Sequence, residues 1–92
     1  MKKKIDKVRA LQFEPISQLS DGAVYGYIWF DVKKLRRTPR DELKEILTEK
    51  VLQLYPFAII DGWLSRYSNG LAKFSVKLPL SPHLRVKQTQ ED

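Results

Sequence analysis

Between Val24 and Val32 the chain reads VYGYIWFDV, and this stretch limits the possible folds more than any other. In a strand, successive side chains point to opposite sides. Val24, Gly26, Ile28, Phe30 and Val32 therefore share one face, while Tyr25, Tyr27, Trp29 and Asp31 share the other. An antiparallel sheet packed on one side normally reads apolar inside and polar outside. Here the nominal outside carries three aromatic rings, a pattern that asks for a partner on that face.

Upstream, Asp21-Gly22 marks a hairpin, because both residues tolerate the positive φ of a two-residue turn. Pairing outward from it sets Leu19 against Val24, Phe13 against Phe30 and Leu11 against Val32 on one face. The same register sets Gln18 against Tyr25, Ile16 against Tyr27 and Glu14 against Trp29 on the other. Pro15 cannot donate to the ladder, so this first strand lies at an edge or carries a bulge there, beyond which the register shifts.

After Val32 come Lys33, Lys34, Arg36, Arg37 and Arg40, five cations in eight residues without an acid. Thr38-Pro39-Arg40-Asp41 then reads as an N-cap, a proline in the first helical position and an early acid. The helix that follows aligns Leu43, Ile46, Leu47, Val51 and Leu54 on one stripe, with Lys44, Glu45, Thr48 and Glu49 outside and Leu52 as the odd residue on that outer side. Tyr55-Pro56 ends it.

The second half repeats strand, turn and strand around Ser68-Asn69-Gly70. A three-residue loop pairs Leu64 with Phe74 and Ile60 with Leu78 inside, and sets Asp61 opposite Lys77 and Trp63 opposite Ser75 outside. The expected fold class is α+β: ββαββ, a four-stranded, mainly antiparallel sheet with one helix packed on one face. Strand order is not readable. Residues 1–6 are expected to be a basic N-terminal tail, 7–80 a single domain, and 81–92 a polar C-terminal tail.

A chain of 92 residues accommodates one core. Having no cysteine, it has no disulfide, zinc ribbon or thiol chemistry, and no cofactor is expected. Lys2, Lys3 and Lys4 resemble the start of a signal peptide, but Asp6, Lys7 and Arg9 interrupt the apolar segment that would have to follow. With no membrane-length apolar run, the sequence reads as a soluble, cytoplasmic protein.

The net charge of +6 favours polyanions or acidic proteins as partners. With the helix on the aliphatic face, the other face gathers Tyr25, Tyr27, Trp29, Trp63, Tyr67, Lys73, Ser75 and Lys77. Rings on an open sheet stack unpaired bases while nearby cations hold phosphates, so the expected function is binding of RNA or single-stranded DNA. Lys33, Lys34, Arg36, Arg37 and Arg40 would extend that surface, and the adjoining helix N-terminus favours an anion. The alternative is a protein interface, either a homodimer or another protein without nucleic acid, since Tyr and Trp are also enriched there.

Catalysis has the least support. His83, the only histidine, falls in the polar tail, and Asp31 and Asp61 form a metal-binding pair only if the fold converges them.

Overall fold

In the computed structural model, which describes residues 2–79, helix α1 (Lys2–Ile5) leads into strands β1 (Arg9–Gln18) and β2 (Val24–Asp31). A 3-10 turn (Lys33–Leu35), helix α2 (Arg40–Leu54) and strands β3 (Ile59–Arg66) and β4 (Leu71–Leu78) follow. The strands form one antiparallel sheet in the order β1-β2-β4-β3. The ββαββ arrangement read from the sequence is therefore present. Because β2 and β3 are each antiparallel to β4, they run parallel to one another, and α2 is the crossover that such a pair requires. The expected tail 81–92, with His83, lies outside the described residues.

The sorting of β2 into two faces holds. Ile28, Phe30 and Val32 are buried with Leu64, Ala72, Phe74 and Val76 beneath the Leu43, Ile46, Leu47 and Val51 face of α2. Leu54, expected on that stripe, is 45% exposed at the last turn of the helix, and Leu52 is exposed as expected. The helix starts one residue later than the sequence suggests: Pro39 is the N-cap, and its carbonyl accepts the Leu43 N–H at 2.9 Å. Asp41 and Glu42 occupy the first turn, where negative charge complements the helix dipole.

Register is where sequence and structure diverge. The first loop has three residues, Ser20 to Gly22, closed by Leu19 N–H donating to the Ala23 carbonyl at 2.7 Å. Gln18 therefore meets Val24, Ser17 meets Tyr25, and the ladder shifts again between Pro15 and Ser17, where the proline signals an irregularity. A second shift between Ala10 and Gln12 turns Leu11 outward, 43% exposed; Phe13 meets Ile28 rather than Phe30, and Ala10 is the residue opposite Phe30. Leu11 is consequently not part of the core.

Leu64 does face Phe74 across β3 and β4, but a bulge at Asp61, Gly62 and Trp63 moves Ile60 opposite Val76 rather than Leu78. The Asp61–Lys77 pairing is lost, and Lys77 faces Ile59.

The start of the chain is less loose than its charge implies. Ile5 is 4% exposed and Val8 2%, and the Lys4 ammonium pairs with the Glu42 carboxylate on α2. No helix among the described residues is long and apolar enough to cross a membrane.

Candidate nucleic-acid interface

On the sheet face away from α2, β2 presents Tyr25, Tyr27 and Trp29 beside Lys77, Ser75 and Lys73 of β4. Trp63 reaches the same face from the β3 bulge, and Tyr67 from the end of β3. The rings touch in two groups. Tyr25 meets Tyr27 edge-on at 6.2 Å, Tyr27 meets Trp63 at 5.2 Å, and Trp29 stacks on Tyr67 at 5.5 Å with 24° between planes.

Lys73 joins the two groups. Its ammonium lies 4.6 Å from the centre of Tyr27, 5.3 Å from Trp29 and 5.7 Å from Trp63, within the range in which a ring quadrupole attracts a cation. Seven of the residues expected on this face, Tyr25, Tyr27, Trp29, Trp63, Tyr67, Lys73 and Lys77, are thus brought together. Trp63 and Tyr67 remain 46% and 40% exposed.

Two underlying features are invisible in the sequence pattern. Ser75 is fully buried, although it lies on the outer face, because Tyr27 and Trp63 meet over it. Its hydroxyl donates to the Asp61 carboxylate, which also accepts the backbone N–H of Trp63 at 3.0 Å, so the bulge fixes the acid and the main chain that carries the ring. The indole N–H of Trp29 donates to Glu14 Oε1 at 2.9 Å, fixing the tilt of that ring. Asp31 accepts the Lys33 N–H at 3.0 Å and lies 3.8 Å from Arg9. Both candidate metal ligands therefore have ordinary structural partners, and among the described residues no group of three metal-ligating side chains occurs.

Tyr67 ionises below the usual tyrosine value of 10.0. A hydrogen bond from Ser65 is the main cause; desolvation opposes it, and Lys73 adds to the lowering. A difference absorbance titration of the wild type against Tyr67→Phe is expected to show a phenolate emerging below pH 10, moving upward in Ser65→Ala. Because the folded value is depressed, the ionised form adds stability only as pH rises through it towards the unfolded value, and adds none at neutrality.

The basic run occupies the end of the sheet. Leu35, only 5% exposed, pins the 3-10 turn to the core and leaves Lys33, Lys34, Arg36 and Arg37 exposed around it. Arg66, which nothing in the sequence singles out, holds the turn from β3. It donates to the carbonyls of Thr38 at 2.6 Å, Arg36 at 3.0 Å and Leu35 at 3.2 Å.

Arg40 differs from the other four cations, since it donates to the Leu64 carbonyl. The helix N-terminus is a poorer anion seat than the sequence suggests, with Asp41 and Glu42 already in its first turn. Comparison with protein-family models, curated proteins and solved structures finds no match in any of the three.

Proposed function

We propose that the open sheet face binds unpaired RNA or single-stranded DNA, with the basic turn holding the phosphates. The observation that carries this reading is a cation held among three rings on an otherwise open sheet, next to four exposed cations at the strand end.

Spacing favours single strands over duplex. Tyr27 and Trp29 are two residues apart along one strand, about 6.8 Å, whereas successive nucleotides of a duplex strand rise about 3.4 Å. Neighbouring bases can match the rings only if they are splayed apart, which pairing forbids. Lys73 keeps Tyr27, Trp29 and Trp63 in fixed relation before a strand arrives, and its ammonium has only to turn towards the nearest phosphate.

Titrating a labelled mixed-sequence oligonucleotide while following tryptophan fluorescence tests the proposal. If Lys33, Lys34, Arg36 and Arg37 each neutralise one phosphate, the log–log salt slope is about −2.8, and affinity falls about 50-fold between 50 and 200 mM salt. Absence of quenching, or a salt-independent affinity, refutes it.

One observation favours a protein partner instead: Glu14, Asp31 and Asp61 also lie on or beside this face, and their charge repels phosphate. Under that reading the protein sediments as a salt-insensitive dimer or heteromer that protects both tryptophans and ignores oligonucleotides.

A further inference from the structure

Where the aromatic face meets the basic turn there is a notch of about 280 Å³, lined by Val32, Arg36, Arg66, Tyr67, Ser68 and Gly70. Its position is fixed from two sides. The Val32 N–H donates to the Gly70 carbonyl at 2.8 Å, closing the β3–β4 loop onto the end of β2, and Arg66 ties the 3-10 turn to β3 through three carbonyls.

Those carbonyls are neutral, so they orient the guanidinium without cancelling its charge. Among the described residues no carboxylate pairs with Arg66, and the Arg36 side chain has no hydrogen-bond or ion-pair partner. The notch therefore holds one fixed and one free guanidinium, with the Ser68 hydroxyl as a further donor. Its other wall is Tyr67, the ring stacked on Trp29, so it opens directly off the aromatic face.

We propose that this notch seats a backbone phosphodiester adjoining the stacked bases, and that a bound single strand leaves the sheet there to continue over the basic turn. The proposal rests on the nucleic-acid reading above and adds a path to it: bases over Tyr27, Trp63, Trp29 and Tyr67, then a phosphate between Arg36 and Arg66. Such a site spans about four nucleotides, at the low end for a single-strand-binding domain.

The experiment is a fluorescence titration of the full chain with oligothymidylates of two and eight nucleotides at several chloride concentrations. Arg36→Gln is compared with Arg37→Gln, which makes the same charge change on the same turn outside the notch and, as another phosphate-holding cation, is expected to lower the slope equally but low-salt affinity by no more than about threefold. Arg36→Gln is expected to weaken binding of the eight-nucleotide strand about tenfold at low salt and to reduce the salt slope by about 0.7. Binding of the two-nucleotide strand should change less than twofold, and Arg36→Lys should restore most of the slope.

Equal losses of low-salt affinity in Arg36→Gln and Arg37→Gln would reduce the effect to general charge and overturn the proposal. An unchanged slope in Arg36→Gln, with Trp29→Ala still weakening binding, would overturn the notch while leaving the aromatic face as the binding site. Inorganic phosphate is expected to compete no better than chloride at equal ionic strength. Strong competition that Arg36→Gln abolishes would assign the notch to a free phosphate instead. A wild-type protein that binds neither strand refutes both readings together.

Discussion

Gly26→Ala is expected to cost about 3 kcal/mol of stability, near the top of the range for overpacking a well-filled site. Gly26 sits in the middle of β2, buried and opposite Pro15. A Cβ there would run into the Glu14 carbonyl oxygen and come within 2.9 Å of the Phe13 ring and of Pro15 Cα. Two of these three obstacles are backbone, which cannot rotate away as a flexible side chain does. Relief requires β1 to lift from β2, and with it the Phe13 ring that closes one margin of the core. For a domain of this size the loss corresponds to a fall in Tm of roughly 12 to 24 °C. Thermal unfolding followed by circular dichroism measures it, and a shift of about 3 °C or less would show that β1 yields freely.

Trp29→Ala is expected to reduce affinity for an eight-nucleotide single strand about 30-fold, equivalent to about 2 kcal/mol and within the range for losing one stacked base. The effect exceeds the removal of one ring, because Trp29 also supports Tyr67 and forms one side of the Lys73 cage. Trp29→Phe keeps a stacking surface but not the bond to Glu14, so it is expected to retain most of the affinity. Both variants should unfold cooperatively, since Trp29 lies outside the helix-covered core and a lost aromatic pair costs about 1 kcal/mol. Unchanged affinity in Trp29→Ala would remove the rings from the binding site. Loss of cooperative unfolding would show that they act as a second core.

The division of β2 into a helix-facing side and a ring-bearing side was legible because alternation in a strand is a local property. Tyr25, Tyr27 and Trp29 needed no knowledge of their neighbours to be placed together. Register was less legible, because each inserted residue shifts everything beyond it, and the chain has three such places. Pro15 announces one, Gly62 within a strand pattern is a recognisable sign of another, and nothing about Leu11 distinguishes an outward-turned residue from a core one.

Asp61 shows the consequence. An alternation argument gives it Lys77 as a partner, whereas the bulge delivers it to Ser75. Arg66 was illegible for a different reason: its acceptors are main-chain carbonyls of a turn some thirty residues away in sequence, and no side-chain pattern encodes them.

The same interruptions act on the two rims of the sheet. An open sheet of four strands leaves β1 and β3 with unpaired backbone groups, the usual template for fibrous self-association. Both rims are broken, β1 near Leu11 and again near Ile16, and β3 at Gly62, so an incoming strand could stay in step for only a few residues before its hydrogen bonds fell out of phase. Exposed Leu11 and Ile16 thus lie on a margin whose irregular backbone disfavours edge-to-edge strand addition.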